Sequence, residues 1–495
     1  MIKTTKLLLL LFLFSLSGKA QDCSAYFNYA KQEISEVKLC PKAMKADIEQ
    51  LHEHILSTHP NPTLYCGVDS FVNAYKSALA ACTTEKTMFE FMQIVSRYLA
   101  VMKDSHTNLN PRDYLILGPK DRAVLPFFLW RIDGKYYLDG IYHNEVEIGA
   151  EVLRINAISM DSLFQLSKSL SFSEGNATDA QEEIAQHMMG ATFNLMQHAN
   201  LGDKAIFQLV NIKGDTILYE ASYVKSMTYL HDRNKEKHAA INYFIDANKR
   251  CVLTIESFDP YGLKKFKRRI DACFTEIKKQ GVTELYIDLR DNLGGMLRAQ
   301  EYVLSYLNQG FVPIQMNYLY KRSRYDRFAR LPFYQEWQFT NRAERVYPNG
   351  IISQEYDFYK SPIGTTKTIL YEYTPQNDLN YIYKGKCNLI MNGSSMSASV
   401  LFAGWFKYMN RGEILGSPCM GGVCGTFGNS APFRLTHSSI HVSVATLKFT
   451  PKSKSQIDLN AIQPNQYIRM NRQQLIEQKD PVYDFLKLDK HQKRK

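Results

Sequence analysis

The chain has 495 residues and a formal net charge of +11, with 60 basic against 49 acidic side chains. Its apolar fraction of 45% and charged fraction of 22% are ordinary for a globular protein, which excludes a disordered or fibrous chain. The length predicts several domains. The densest basic runs, 264–269 and 491–495, lack interleaved aromatics and any nucleic-acid fold motif, so they are interpreted as solvated surfaces and no nucleic-acid partner is expected.

The first 20 residues have the three parts of a secretory signal peptide. Lys3 and Lys6 are basic, 7–16 is apolar, and 18–20 is a small-residue cleavage site that would leave Gln21 first. The apolar run is shorter than the roughly 20 residues that a membrane-spanning helix needs. We therefore expect an exported protein, periplasmic or extracellular, with no integral membrane segment.

All nine cysteines follow this segment. Export permits disulfides, and an odd count leaves at least one thiol unpaired. Connectivity stays open, but proximity along the chain suggests three pairs: Cys23 with Cys40, Cys66 with Cys82, and Cys419 with Cys424. The spacings match no zinc site, so neither a metal nor another cofactor is expected.

Residues 21–115 are predicted to form a helical domain. Apolar residues recur at helical spacing in 46–56, 71–81 and 88–102, and the segment 84–87 is a helix start signal. The domain ends at 103–108, which includes Ser105 and His106, just before a strand-like segment. A single histidine after a helix is more often structural than functional, so both interpretations of His106 are kept.

Residues 120–230 are predicted to form a β-rich module. Asp133-Gly134 has the residues of a hairpin turn, and the expected strands are 127–130, 136–140 and 151–156. The segment 147–156 resembles the G-x-x-V-x-x-I-N block of PDZ modules, which bind peptide ends by strand addition. The carboxylate-binding G-L-G-F loop is not evident, so a peptide-binding role and a spacer role both remain open. An insertion at 169–200 is predicted to be helical.

Residues 235–480 are predicted to form an α/β domain, with a basic tail at 481–495. Its strands and helices alternate, and this order implies a parallel sheet with right-handed crossovers. The strands are expected at 251–257, 285–289, 387–391 and 413–416, and the helices at 262–280, 297–307 and 396–409. The stretch 317–377 is an insertion. The fold class is therefore α/β, in a multidomain chain.

The segment 387–409 combines a strand, a tight turn, a serine and a helix. This order presents a serine hydroxyl at a helix N-terminus, where free N–H groups and the helix dipole favour negative charge. A nucleophile followed by an oxyanion uses that environment well. A simple capping role for the serines is the alternative.

A second stretch, IDLRDNLGG at 287–295, is predicted to be a strand followed by a turn. Its two adjacent glycines, Gly294 and Gly295, allow backbone N–H groups to approach a ligand closely. This stretch lies about 100 residues before SSMSASVLFAG at 394–404.

The pair of segments resembles the C-terminal processing and tricorn-core serine peptidases, and the resemblance covers about 51–465. It implies a catalytic domain of the ClpP/crotonase-like type and peptide or protein substrates. It makes Ser397 the nucleophile. It also assigns the oxyanion hole to the N–H of Gly294 or Gly295, with that of Ala398.

The resemblance also decides which base is expected. The lysine of the tail-specific branch falls on Gly422, and the nearest other lysines, Lys448 and Lys407, lie in no matching segment. The tricorn-type branch has an L-x-D-x-H-[ST] block, which places its general base on His106. Asp458 would orient this base directly or through Ser105, as the acid of a triad does.

The block around Asp458, at 457–465, departs from the family pattern at three places. Asp458 stands for Glu, Ala461 for Gly and Asn465 for Asp. Two functions are therefore kept. The first is an exported serine endopeptidase that cuts peptides or protein C-terminal tails, and the second is a non-catalytic relative that binds peptides or apolar ligands. The oligomeric state is left open.

Overall fold

A computed structural model describes most of the chain. The described residues are 38–109, 123–125, 127–139, 147–197, 204–225, 240–258, 262–310, 312–323, 358, 361–373, 382–452 and 458–488. The proposed signal at 1–20, Cys23, most of the insertion at 317–377 and the end of the basic tail lie outside the described residues.

The helices are found mostly where the hydrophobic spacing predicts them. They are α1 (Pro41–Thr58), α2 (Val68–Ala81), α3 (Met88–Ala100), α4 (Met160–Leu170), α5 (Thr178–Gln197), α6 (Leu263–Gln280), α7 (Leu297–Leu307), α8 (Ala398–Tyr408), α9 (Arg472–Ile476) and α10 (Pro481–Phe485).

The strands are short in the first half of the chain and longer in the second. They are β1 (Lys38–Leu39), β2 (Lys86–Thr87), β3 (Asn108–Leu109), β4 (Ala123–Val124), β5 (Phe128–Ile132), β6 (Lys135–Asp139), β7 (Glu151–Ile155), β8 (Ile158–Ser159), β9 (Lys204–Val210), β10 (Thr216–Ser222), β11 (Val224–Lys225), β12 (Ile241–Ile245), β13 (Arg250–Ile255), β14 (Glu284–Asp288), β15 (Ile314–Lys321), β16 (Thr366–Tyr373), β17 (Lys386–Met391), β18 (Ile414–Gly416), β19 (Thr426–Gly428), β20 (Ala431–Arg434), β21 (His441–Val444), β22 (Leu447–Pro451) and β23 (Gln466–Tyr467).

The first helices bury one apolar face each. On α3, Phe91, Met92, Val95 and Leu99 recur at three- and four-residue spacing and are buried. The predicted start signal is a capping box, in which Thr87 accepts from the Glu90 N–H and the Glu90 carboxylate accepts from the Thr87 N–H. The three helices predicted for this part of the chain are confirmed.

The next part is an antiparallel sheet in the order β10-β9-β7-β6-β5, with β8 paired to β7. The turn between β5 and β6 is the predicted one, because Asp133 and Gly134 have φ of 50° and 78°. Helices α4 and α5 pack together, and α5 also contacts β5. The predicted strands, and the helix in the insertion at 169–200, are confirmed.

A mixed six-stranded sheet in the order β12-β13-β14-β17-β18-β23 forms the core of the second half. Pairing is parallel from β13 onward, as the strand–helix–strand order predicts. Because parallel strands end at the same edge, the turns after β14 and β17 lie side by side. These are the glycine turn and the Ser397 turn.

Two of the three proposed disulfides are wrong. Cys66, Cys82, Cys419 and Cys424 are free thiols, since proximity along the chain does not bring two sulfurs within bonding distance. Cys40 is disulfide-bonded, and its expected partner Cys23 lies outside the described residues. Among the described helices, none is both long enough and apolar enough to cross a membrane.

Arg290, two residues after β14, joins the glycine turn to the C-terminal segment. Its guanidinium contacts Asp288 at 2.6 Å and both oxygens of Asp480, at 3.0 and 2.8 Å. Asp480 also caps α10 through the N–H groups of Val482 and Tyr483. The end of β14 is thus held in place by a segment about 190 residues further along the chain.

We expect Arg290→Met to lower the free energy of unfolding by about 3 kcal/mol, because the largely buried Asp288 and Asp480 would each lose a charged partner. Urea unfolding measures this change. The control is Lys204→Met, which removes a pair with Glu220 in which both side chains are more than half exposed. Its effect should stay within about 0.5 kcal/mol. Equal effects would contradict the assigned role of Arg290.

Candidate active site

Ser397 occupies a strained turn between β17 and α8. Its φ of 58° and ψ of −117° lie in a region that non-glycine residues rarely adopt. The hydroxyl does not cap α8, and it has no hydrogen-bond partner among the described residues. The fold therefore holds a free hydroxyl at a helix N-terminus, which is inconsistent with a simple capping role.

Gly294 packs directly against this turn. A Cβ on Gly294 would lie 2.6 Å from the Ser397 Cβ, 2.9 Å from the Met396 oxygen and 3.0 Å from the Ala398 nitrogen. Gly294 also has a φ of 105°, which favours glycine. Only glycine allows the two turns to approach this closely.

Hydrogen bonds connect the two turns. The carbonyl of Asn292 accepts from the Met396 N–H at 3.0 Å and from the Ser399 hydroxyl at 2.9 Å. Asp291 and Asn392 exchange two further bonds, each 3.0 Å long. Because the Asn292 contacts flank Ser397, they fix the serine relative to the glycine backbone.

The structure distinguishes the two candidate oxyanion donors on the glycine turn. The Gly294 N–H already donates to the Asn292 side chain at 2.9 Å. The N–H groups of Gly295 and Ala398 have no partner among the described residues. Gly295 and Ala398 are therefore the donors left for an oxyanion, and Gly294 has the role of spacing them.

His106 is held by a hydrogen-bonded relay. The Ser105 hydroxyl donates to Glu174 Oε2 at 2.7 Å, so it can only accept from His106 Nδ1, at 3.1 Å. The ring proton of neutral His106 is then on Nδ1, and Nε2 carries a lone pair. Nε2 has no partner among the described residues, so it is available to take up a proton.

The backbone around His106 is tied to the second half of the chain. Ser430 donates to the His106 carbonyl at 2.8 Å, and β3 pairs with β21 just after it. On the other side, the buried Asp104 accepts from the His106 N–H at 2.8 Å and from His59 Nε2 at 3.0 Å. The Ser430 bond and the β3–β21 pairing thus join the segment that carries His106 to a three-stranded sheet with β20 and β21.

Glu174 lies between α4 and α5, and both of its oxygens are bonded. Oε2 accepts from the Ser105 N–H and hydroxyl, and Oε1 accepts from the Phe427 N–H at 3.1 Å and the Tyr65 hydroxyl at 3.4 Å. The buried Lys448 ammonium lies 3.9 Å from Oε1 and bonds the Tyr65 hydroxyl. Glu174 is therefore a buried carboxylate with a cation beside it.

Asp458 does not occupy the position expected for it. Its side chain is exposed and accepts from the Asn460 N–H at 3.0 Å, without a hydrogen bond to Ser105 or His106. The buried position against Ser105 is taken by Glu174. The two acids lie on neighbouring segments, since the Asn176 N–H donates to the Leu459 carbonyl at 2.7 Å, but only the Glu174 side chain reaches Ser105.

Burial sets the acid–base properties of the site. Burial lowers the pKa of His106, the Asp104 charge opposes this and the Lys448 charge adds to it, so the net shift favours the neutral ring. Burial also raises the pKa of Glu174 to about 7, with the nearby Asp104 charge adding to the rise. Burial lowers the pKa of Lys448. Burial alone would raise the pKa of Asp104, but the hydrogen bond with His59 holds that pKa below its usual value.

Asp104, His106 and Glu174 are close enough to hold a metal ion, since one potential ligand atom of each lies within 4.8 Å of the others. The carboxylate oxygens of Asp104 and Glu174 already accept hydrogen bonds from His59, Ser105 and Phe427, which leaves only Nε2 of His106 without a partner among the described residues. The arrangement fits a proton relay without a metal.

The helix α5 supports the Ser397 turn from outside. Glu183 accepts from the Gly393 N–H at 3.0 Å and from the Ser417 hydroxyl at 3.2 Å. Burial raises the pKa of Glu183 to about 7. A Cβ on Gly393 would lie 2.8 Å from the Ala180 Cα, so α5 packs tightly on the turn before the serine.

The two halves of the site meet at Gly421. A Cβ there would lie 3.1 Å from Val400, on the first turn of α8, and 3.5 Å from Glu174 Cγ. No hydrogen bond joins Ser397 to His106 among the described residues.

Of the two other lysines considered as a base, Lys407 is exposed at the far end of α8, and only Lys448 reaches the relay.

Comparisons with known proteins give a consistent picture. The chain is similar to the structure titled mature CPAF, with 14% identity over 90% of this chain and 96% of that one and a TM-score of 0.60. The structure of mature CPAF complexed with lactacystin gives 14% identity, coverage of 90% and 97%, and a TM-score of 0.61. These two show the fold. A photosystem II D1 C-terminal processing protease has 12% identity over 87% and 94%, with a TM-score of 0.41. No curated protein matches the chain in sequence.

With this fold, a serine on a strained turn beside two free backbone N–H groups defines a serine-type peptidase. Residues 249–468, which include both turns, match the model of Peptidase family S41. This match, over a little less than half of the chain, confirms the resemblance to the C-terminal processing serine peptidases that was drawn from the two segments. His106 and Glu174 lie outside the matched residues.

Glu174 is the residue that sequence reasoning missed. It lies in Ser173-Glu174-Gly175, within the helical insertion, where a charged residue next to a glycine is usually a solvated turn. Gly175 has a φ of 56°, and its Cβ would lie 2.5 Å from the Leu459 oxygen. That glycine is the one local indication that this turn packs against another segment.

We expect Gly294→Ala to lower turnover by about 100- to 1,000-fold, because the added methyl would displace Ser397 and the donors beside it. The control is Gly404→Ala on α8, where the nearest atom to the new Cβ is Ile462 at 4.0 Å. It should keep turnover and gain up to about 1 kcal/mol in stability. Steady-state kinetics with thermal unfolding measure both, and normal turnover in Gly294→Ala would contradict the tight approach.

Proposed function

We propose that the chain is an exported serine endopeptidase that cuts peptides or protein C-terminal tails, with Ser397 as nucleophile and His106 as general base. The observation that carries the proposal is the relay through Ser105, which leaves a free lone pair on His106 Nε2. A serine hydroxyl needs such a base at neutral pH. Export is supported by the signal-like segment 1–20, and the tail preference by the family.

The chemistry follows a serine-peptidase cycle. The Ser397 Oγ attacks the scissile carbonyl carbon as its proton moves to His106 Nε2. The carbonyl oxygen becomes an oxyanion and accepts from the N–H groups of Gly295 and Ala398. The imidazolium then gives its proton to the leaving amine, which breaks the C–N bond and leaves an acyl-serine. Water, deprotonated by the same Nε2, hydrolyses the ester.

This cycle requires Nε2 to approach the Ser397 hydroxyl. Catalytic hydrogen bonds are often long before substrate binds and tighten in the complex. Gly421 contacts Val400 on α8 and Glu174, which holds His106 through Ser105, so a small shift of either element alters the separation of the two groups.

The finer architecture is part of the proposal. The sheet β10-β9-β7-β6-β5 is proposed to be PDZ-like, and the six-stranded sheet with its helices to be of the ClpP/crotonase-like type. Strand β10 lies at the edge of its sheet, and its Leu218 is 75% exposed. An exposed edge strand is compatible with strand addition by a peptide tail.

We expect a fluorophosphonate probe to label the folded chain at Ser397 and not to label Ser397→Ala. A hydroxyl that only caps a helix does not react in this way. Labelled-peptide mass spectrometry identifies the site. Absence of labelling in pure, folded protein would favour a non-catalytic binding protein.

His106→Ala should lose nearly as much turnover as Ser397→Ala, because the members of a triad act as a unit. The kcat/KM of the unmodified chain should fall at acidic pH as the imidazole takes up a proton. A purely structural His106 would instead lower the melting temperature and keep turnover. Both quantities should be measured on one preparation.

A further inference from the structure

The acid of the relay comes from an unexpected segment. The family block places an acid at Asp458, yet this side chain is exposed and bonded to its own loop. The buried Glu174 carboxylate accepts from Ser105 twice, through the N–H at 3.0 Å and the hydroxyl at 2.7 Å. The turn between α4 and α5, and not the C-terminal block, therefore supplies the negative charge behind Ser105.

We propose that Glu174 is the positioning residue of the catalytic histidine, that it acts through the Ser105 hydroxyl, and that Lys448 keeps it ionised. This proposal deepens the proposed function and rests on it. Glu174 is a positioning residue because it touches Ser105 and not the reacting atoms. Its role is to decide which ring nitrogen of His106 carries the proton.

The direction of the hydrogen bonds gives the mechanism. An ionised Glu174 only accepts, so Ser105 donates to it and His106 donates from Nδ1, which leaves Nε2 as a base. If Glu174 were protonated, its O–H would donate to Ser105 and the Ser105 hydroxyl would donate to Nδ1. Nε2 would then carry the ring proton, and the base would be absent.

The groups around Glu174 place its pKa close to neutral pH, where it changes between its ionised and its protonated form. Burial and the Asp104 charge raise the pKa of Glu174, the Lys448 charge and the Ser105 bonds lower it, and the net value is about 7. The titratable groups that face Glu174 come from separate elements: Asp104 and His106 after α3, Tyr65 before α2, Cys424 before β19, and Lys448 on β22. Lys448 is the cation among them, and it is buried with the carboxylate.

This placement gives Lys448 a role other than that of a base. Its ammonium bonds the Tyr65 hydroxyl, lies 3.9 Å from Glu174 Oε1, and sits over the rings of Tyr65 and Phe427. A buried cation with these partners stabilises the adjacent carboxylate. Its removal should therefore make Glu174 easier to protonate.

The first test is Glu174→Gln. In this variant the amide oxygen would keep facing the Phe427 N–H and Lys448, and the amide NH₂ would donate to the Ser105 hydroxyl. The hydrogen bonds from residue 174 through Ser105 to His106 would then run in the opposite direction. We expect a loss of about 100- to 10,000-fold in kcat/KM. The melting temperature is expected to fall, because Lys448 would lose its buried partner and the Ser105 N–H its acceptor, so kcat/KM is measured at pH 8 well below that temperature. In a Ser105→Ala background the same change should cost little, because the relay is already broken.

The matched control is Asp458→Asn, the exposed acid at the position expected from the family. It should keep kcat/KM and its pH profile. Lys448→Met leaves Ser105 and Glu174 in place and should move the acidic limb of kcat/KM to higher pH, because both Glu174 and His106 lose a charge that lowers their pKa. In a Ser105→Ala background, where only the direct effect on His106 remains, the limb should move less. Lys448→Met tests the same idea if Glu174→Gln fails to fold.

A readout independent of catalysis separates this proposal from the proposed function. Nitrogen-15 NMR of labelled histidines should show His106, assigned with His106→Ala, protonated at Nδ1 in the unmodified chain at pH 8 and at Nε2 in Glu174→Gln. Any one of four results would overturn the role of Glu174. In Glu174→Gln these are an unchanged His106 tautomer or an unchanged kcat/KM. In the other variants they are an acidic limb of kcat/KM that does not move in Lys448→Met, or a loss of kcat/KM in Asp458→Asn equal to that in Glu174→Gln. Failure of Ser397 to react with the fluorophosphonate would overturn the proposed function alone.

Discussion

The parallel pairing of β14 with β17 is the constraint on which the site depends. It places the glycine turn and the Ser397 turn at one edge of the sheet. The Asn292 carbonyl then bonds both sides of Ser397, and Gly294 allows the backbones to touch. The strained backbone of Ser397 persists because these contacts over-determine it. The Ser397 hydroxyl and two backbone N–H groups are thereby held in the arrangement that the proposed mechanism needs.

The second half of the site has a different origin. His106 comes from the helical part of the chain and Glu174 from the turn between α4 and α5, and the two meet through Ser105. Burial favours a neutral histidine and raises the cost of the glutamate charge, and Lys448 offsets part of that cost. The proposed base and the proposed nucleophile thus reside on separate parts of the chain, so their approach depends on how those parts pack.

Much of the fold follows from local patterns. Helices α3 and α6, the turn at Asp133-Gly134 and the parallel strands are found where apolar spacing and turn residues predict them, because each burial pattern is local to its element. The two segments around Gly294 and Ser397 also indicated the peptidase family. Proximity of cysteines along the chain predicted two disulfides wrongly, because bonding needs two sulfurs at a set distance and geometry, whatever their spacing in sequence.

The sequence by itself determined which residues have the chemistry of a nucleophile and an oxyanion turn, because strand, turn and helix signals are contiguous there. Only the tertiary structure decided that Gly295 offers a free N–H while Gly294 does not, since the difference is one hydrogen bond from Asn292. It also decided that Glu174, and not Asp458, contacts Ser105. A carboxylate acquires that role from burial and from partners far away in the chain, and neither is present in its local sequence.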